Sequence, residues 1–505
     1  MLFAGSGGPK DEVEARRLLG LAAAQGHADA QNRLADMFYT GHSGPEDEVE
    51  ARRLYGLAAA QGDADAQCRL ANMFYEGHGG PKDEVEARRL YGLAAAQGHA
   101  DAQYRLADML NEGHGGPEDE VEARRLYGLA AAQGHADAQY RLADMLNEGH
   151  GGPEDEVEAR RLYGLAAAQG HADAQCRLAN MFYKGHGGPK DEVEARRLYG
   201  LAAAQGHAGA QCRLANMLGS GHGGPKDKVE ARRLYGLAAA QGHADAQCRL
   251  ANMFYKGHGG PKDEVEARRL YGLAAAQGHA DAQCDLAHML HEGRGGPKDE
   301  AEARRLLGLA AAQGDADAQC RLANMFYEGH GGPKDEVEAR RLYGLAAAQG
   351  HAGAQCGLAL LLVLGLGGHK DDAEARRLYG LAAAQGDADA QFSLGVVLYE
   401  GRGGPKDEVE ARRLYGLAAA QGHADAQCRL ANMFYKGHGG PKDEVEARRL
   451  YGLAAAQGHA DAQCDLAHML HEGRGGPKDE AEARRLYGLA AAQGDADAQS
   501  YLARM

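Results

Sequence analysis

Read for its apolar positions, the chain repeats. The hexapeptide Leu-Ala-Ala-Ala-Gln-Gly begins at Leu21 and recurs every 36 residues to Leu489, fourteen times, with no insertion or deletion between copies. Within one copy, Ala87, Leu90, Tyr91, Ala94 and Ala95 fall at i, i+3, i+4, i+7 and i+8, a single stripe of a 3.6-residue period. The spacing predicts a helix, termed helix B, over about Glu84 to Gln97. Asp83 stands where an N-cap belongs, Glu86 three residues on can close a capping box, and Gly98 offers a left-handed C-cap. A second stripe, Ala66, Leu70, Met73 and Phe74, predicts helix A over about Ala66 to Glu76, ended by Gly77 and joined to helix B by a Gly-rich loop. A two-helix unit of this size buries its stripes only against its neighbours, so the expected fold is an all-α solenoid of about fourteen helix-turn-helix repeats.

The register predicts a single array over residues 1–505, with a partial unit at 1–28, complete A-B units over about 29–496 and a partial last helix at 497–505. Met1 and Met505 both fall in the column of Met37 and Met73, so neither end carries a polar capping helix. Solenoids need such caps for solubility, which points to a piece of a longer array or to self-association through the ends. One feature opposes helix B. Gly92 and its equivalents sit in mid-helix, where each costs about 0.8–1 kcal/mol relative to Ala, so either packing there is very close or these helices are marginal alone.

Composition narrows the picture. Hydrophobic residues make up 44% and charged residues 25%, but aromatics are only 6% and Trp is absent, so the core must be built from Ala and Leu. The net charge of −16 is spread along the chain, which disfavours nucleic acid as a partner. Residues 1–9 lack the basic start and apolar run of a secretory signal, and the longest apolar stretch, Leu358 to Leu364 with Gly365-Leu366 beyond it, is too short for a membrane span. The expected location is cytoplasmic.

Candidate chemistry is sparse. Nine cysteines, at 68, 176, 212, 248, 284, 320, 356, 428 and 464, share one column, one to a unit, and are expected to be reduced and partly buried. Nineteen of the 24 histidines lie in the columns of His27 and His42, which helix A holds apart, and no metal or other cofactor is expected. The tighter group Asp285, His288, His291 and Glu292 recurs as Asp465, His468, His471 and Glu472, a helix face copied by duplication, since residues 229–306 and 409–486 are identical. Protonation of all 24 histidines would reverse the sign of the net charge, so binding of charged partners is expected to vary between about pH 7 and 5. Every candidate catalytic residue is repeated, and there is no nucleophile elbow or phosphate-binding loop, so an enzyme, with a hydrolase as the remote case, is not expected.

The unit Ala390-Gln391-Phe392-Ser393-Leu394-Gly395, followed by Tyr399-Glu400-Gly401-Arg402-Gly403-Gly404, Asp407, Glu410-Ala411, Leu414-Tyr415, Ala418-Ala419 and Gln421-Gly422, resembles the Sel-one-like repeat (SLR). That family is related to the tetratricopeptide repeat, and the resemblance covers essentially the whole chain. Its Leu-Gly is Leu-Ala in most units here, as at Leu70-Ala71, and its frequent Trp is Leu90. The resemblance implies a right-handed α/α superhelix acting as a scaffold or adaptor that binds proteins or peptides, with a fragment lacking a dedicated partner as the alternative. In tetratricopeptide-type superhelices helix A lines the concave groove. By that analogy the expected partner-binding residues are Arg69, Asn72, Arg177, Asn180, Lys184, Arg249, Asn252, Lys256, Arg429, Asn432 and Lys436. One helix A replaces its polar face with aliphatics, and Leu360, Leu361, Val363 and Leu364 are expected to form an apolar interface there.

Overall fold

A computed structural model describes residues 12–42 and 44–503. Among them are 28 α-helices and no strand, each helix thirteen residues long except the seven-residue Ala496–Leu502. The all-α repeat fold expected from the periodicity is therefore observed. The expectations placed on residues 1–11 and 504–505, including the Met1 and Met505 ends, lie outside the described residues. The chain forms two compact units. One runs through Ala246 and includes Gly257–Pro261; the other comprises Gln247–Lys256 and the residues from Lys262 onward. Within each, successive helices pack on one another, most extensively a helix A against the helix B that follows it.

Local chemistry sets both boundaries of each helix. Helix B of the second full repeat is Glu84–Ala96, and the Asp83 carboxylate accepts the Glu86 N–H at 3.0 Å. The expected capping box is only half formed, because the Glu86 side chain turns instead to Arg89, whose Nε and Nη2 donate to it at 2.7 and 2.6 Å. At the other end Gly98, at φ +89°, lets its own N–H reach Ala95 O at 2.9 Å while the His99 N–H reaches Ala94 O at 3.2 Å. This paired closure is the Schellman arrangement, and it is compact enough that the next helix starts at once.

Helix A is longer than the stripe predicts, Ala64–Glu76 rather than from Ala66. The extra residues exist because the residue after the glycine is itself an N-cap: Asp63 accepts the Ala66 N–H at 2.8 Å. In other repeats histidine does the same, His99 Nδ1 accepting the Ala102 N–H at 3.2 Å. Apart from His27 itself, whose ring makes no such bond, the His27 column is thus a row of helix caps. An accepting Nδ1 leaves the proton on Nε2, which in His99 donates to Asp65 of the preceding helix A at 2.9 Å.

The core holds the Ala and Leu that composition requires and, beyond them, Met and a buried Tyr in most repeats; Ala87, Leu90, Tyr91, Ala94 and Ala95 are all buried. A buried glutamine in each helix A except the last, Ala496–Leu502, stitches three helices together. Gln67 Nε2 donates to Ala59 O of the preceding helix B at 3.2 Å, and its Oε1 accepts from Gln97 Nε2 of the following one at 2.8 Å. A buried amide left unpaired would cost about 1–3 kcal/mol, so full satisfaction at this position locks the stacking register.

Two kinds of glycine behave oppositely. Gly79, at φ +63°, lies where an added Cβ would come within 2.2 Å of the Glu48 carbonyl oxygen, so the loop after helix A rests directly on the preceding helix B. Mid-helix Gly92, by contrast, has no atom within 4 Å of a Cβ position. Close packing is therefore not its reason, and of the two explanations the sequence offered for this residue that one is corrected.

Candidate functional site

Helix A leaves one stripe outside the core: Asp65, Arg69, Asn72 and Glu76, at i, i+4, i+7 and i+11. The sequence-predicted residues sit on it. Arg69, Arg177, Arg249 and Arg429 are exposed, as are Lys184, Lys256 and Lys436, while Asn72, Asn180, Asn252 and Asn432 are half-buried.

Those asparagines already have work within the fold. Asn72 Oδ1 accepts from the hydroxyl of Tyr91, a buried ring of the following helix B, and Asn180 accepts from Tyr199 at 2.6 Å. Asp36 and Asp108 take the same place for Tyr55 and Tyr127, each at 2.5 Å. Burial in turn holds these phenols far above their ordinary range, so they remain donors. Asn252 and Asn432 instead donate to the carbonyls of Cys248 and Cys428, both at 3.2 Å.

The arginines link successive repeats. Arg69 Nη1 lies 2.8 Å from Asp36, and Arg177 Nε 3.6 Å from Asp144. The arginine of each pair is about half exposed and the aspartate partly buried, so the guanidinium keeps an open side that an incoming carboxylate can reach. The lysines stand at the far end of the stripe, in the column that is Glu76 elsewhere.

The aliphatic helix A, Ala352–Leu364, divides differently from the expectation. Leu360 and Leu364 are 40% and 53% exposed and occupy the Asn72 and Glu76 columns. Val363 is half-buried. Leu361 is only 1% exposed, because it fills the core position of Met73 and Met325, and so it is corrected from interface to core.

The remaining candidates resolve into structure. Cysteines are free and, except half-buried Cys356, buried; burial pushes the thiols up, Cys176 to about 11 and Cys68 to about 12, which makes them poor nucleophiles. His291 and His330 meet edge to face with ring centroids 5.1 Å apart, and His288 pairs with Glu292 at 3.4 Å. Among the described residues no three His, Cys, Asp or Glu side chains converge in a way that could hold a metal ion. His78, in the second histidine column, bridges two carboxylates, Glu48 and Glu76, each at 3.0 Å.

Sequence reasoning missed two roles. Arg52 donates to the carbonyls of His78 and Pro81, both at 3.1 Å, and stacks over Phe74 at 3.9 Å, clamping the loop. The other is the glutamine stitch, whose signal was a Gln invariant beside the core stripe. Among the described residues no helix is long and apolar enough to cross a membrane.

Against this geometry the comparisons are specific. The model of the Sel1 repeat matches fourteen consecutive segments, from residues 1–27 through 28–63 and 64–99 to 460–495. Among solved structures, the chain is similar to a protective antigen present in uropathogenic Escherichia coli strains displaying an SLR fold. That protein is 30% identical, with a TM-score of 0.74, over 89% of this chain and 97% of the other. A Sel1 repeat protein from Oxalobacter formigenes is also 30% identical, over 48% of this chain and 96% of its own, with a TM-score of 0.45. No curated protein matches the sequence.

Proposed function

The chain belongs to the Sel1 repeat family, and from that premise we propose that it is a non-enzymatic scaffold that binds partner proteins or peptides along the exposed stripe of helix A. Repeat solenoids of this kind serve in general as protein-interaction scaffolds. The observation that carries the finer reading is where the copies differ. Over residues 28–503 the Arg69 column holds Arg, Asp, Gly, Ser or Tyr; the Asn72 column Asp, Asn, His, Leu or Val; the Glu76 column Thr, Glu, Lys, Ser or Leu. Helix B is almost uniform by comparison, although it too has an exposed side. Exposure alone therefore does not account for the divergence. A face that changes from repeat to repeat suits a ligand whose own residues change along its length.

Charge assigns parts to that face. Arg177, Arg249 and Arg429, each with a lysine two turns on, offer donors for carboxylates and backbone carbonyls of an extended segment. Leu360 and Leu364 offer an apolar seat, the kind of contact that dominates binding energy at protein interfaces.

The test is quantitative affinity capture with three baits: the parent chain, a variant with Arg177, Lys184, Arg429 and Lys436 changed to Ala, and one with Leu360 and Leu364 changed to Ser. The expected result is a defined partner, confirmed with purified components, that the parent retains and both variants lose at unchanged helicity. Partners retained equally by all three would remove helix A as the binding face.

A further inference from the structure

Helix B also leaves a stripe outside the core: Val49, Arg53, Leu57 and Ala60. Its chemistry inverts that of helix A. Valine fills the first column in eleven of fourteen repeats, with alanine in the other three, and is 67–71% exposed. Leucine fills the third in all fourteen and from Leu57 onward is 41–44% exposed. These two columns supply nearly all of the exposed large apolar side chains among the described residues. An apolar surface that recurs in every repeat is far beyond the scattered exposed leucines of an ordinary monomer.

Beside it lies a groove. Between the helices Glu156–Ala168 and Glu192–Ala204 there is a cavity of about 730 Å³, walled by Val157 and Leu201, floored by Leu178 and Phe182, and left open at Gly164. The second compact unit has its counterpart, about 540 Å³, with Gly416 and Leu453 at its wall and Leu430 and Phe434 at its floor. The glycine is the mid-helix residue that opposes helix B, invariant in fourteen copies, with nothing within 4 Å of a Cβ position. A methyl would fit there and would favour the helix, yet the column has not changed while the exposed columns of helix A have diversified. What the glycine does supply is depth to the groove.

The occupant must match two properties of this face. It must be apolar at the groove, and it must recur along the chain, because the groove is present in both compact units and the leucine and glycine columns that line it repeat with the 36-residue period. The chain itself has both. Eleven of the fourteen repeats carry a protruding valine such as Val85, and all carry a leucine such as Leu93 next to the open position of Gly92, so the face is complementary to itself. Its charges are balanced in the same way, since Glu86 and Arg89 form an exposed pair in each repeat and a partner of opposite direction can exchange Glu for Arg across the contact.

We propose that the helix B face is a homotypic interface, in which the valine and leucine columns of one chain seat in the glycine-lined grooves of a second copy. It is independent of the binding assigned to helix A, since the two stripes share no residue.

The experiment is sedimentation velocity of the full chain over a range of concentrations, alongside two variants. Val121, Val157 and Val193 changed to Lys places charge on the protruding side chains, which are exposed enough that folding should be unaffected. Gly128, Gly164 and Gly200 changed to Gln fills the hollows with a good helix former and should, if anything, strengthen the fold. The expected result is concentration-dependent dimerisation of the parent that both variants weaken by at least ~10-fold, with circular dichroism unchanged in the first and thermal stability raised in the second. A parent that stays monomeric at every concentration overturns the proposal. So does association that survives either set of substitutions, because a purely structural glycine column would alter stability and leave the oligomer alone.

Discussion

Helices A and B solve the same packing problem and then diverge on the side that the core does not use. Both are thirteen residues long, both are capped by a side chain at the start, and both bury one stripe. On helix A the exposed stripe is mostly polar and differs among copies, with at least five residue types at each of three columns. On helix B it is mostly apolar and nearly constant. Units copied within one chain begin alike, so what separates them is which changes were kept. The contrast teaches that solvent exposure by itself did not decide this; an aperiodic ligand on one face and a periodic one on the other would.

The largest effect that tests this division comes from two adjacent leucines. Leu361→Lys puts a charge into a core position and should cost at least ~3 kcal/mol, as other large core disruptions do. Leu360→Lys lies on the exposed stripe and should stay within about 0.5 kcal/mol. Hydrogen exchange reads both. Because repeats couple to their neighbours, the first should lose protection in Ala352–Leu364 and the helices packed on it, Glu336–Ala348 and Asp372–Ala384, and the second nowhere. Equal protection in the two variants would erase the boundary between core and surface drawn here.

Glycine gives the next test, with effects of opposite sign. Gly151→Ala forces a methyl against the Glu120 carbonyl oxygen, 2.3 Å away, at φ +64°, and should destabilise by about 1–3 kcal/mol. Gly164→Ala meets open space in mid-helix and should stabilise by about 0.8–1 kcal/mol. Chemical denaturation followed by circular dichroism distinguishes them. A loss of stability in Gly164→Ala would mean that the groove of helix B serves the monomer rather than a second chain.

Much of this was legible in the sequence, and the rest was hidden for identifiable reasons. The 36-residue period and the two apolar stripes place Leu90, Tyr91, Met73 and their neighbours correctly, because burial leaves a 3.6-residue signature. The Asp83 cap and the Gly98 closure were readable from residue type alone. The histidine cap was not: a cap is expected to be Ser, Thr, Asp or Asn, and His99 does the same task through a ring nitrogen. Nor was the tie between Asn72 and Tyr91, which are nineteen residues apart and meet only once helix A lies on helix B. Leu361 was misplaced because a helix that is apolar all round has no polar side from which to read its facing. The exposed stripe of helix B went unread because Val and Leu normally signal core.

The smallest effect concerns an acid on the helix A stripe. Asp285 and Asp465 replace arginine in the Arg69 column, and burial raises both carboxyls above the usual range, opposed by the hydroxyls of Tyr271 and Tyr451. A carboxyl whose folded value is raised binds its proton more tightly in the folded chain. Its contribution is therefore fully favourable below the unfolded value and is lost as pH rises through the folded one, so each charged aspartate opposes folding at neutral pH. Asp285→Asn keeps the acceptor for Tyr271 and removes the charge. It should raise the thermal midpoint at pH 7, by less than Gly164→Ala does, with the gain shrinking toward zero as the parent's carboxyl becomes protonated in acid. Thermal melts of the two proteins across pH 3.5–7.5 measure this. A gain of the same size at every pH would show that the charge is not what distinguishes this repeat, and that its place on a variable binding face rests on shape alone.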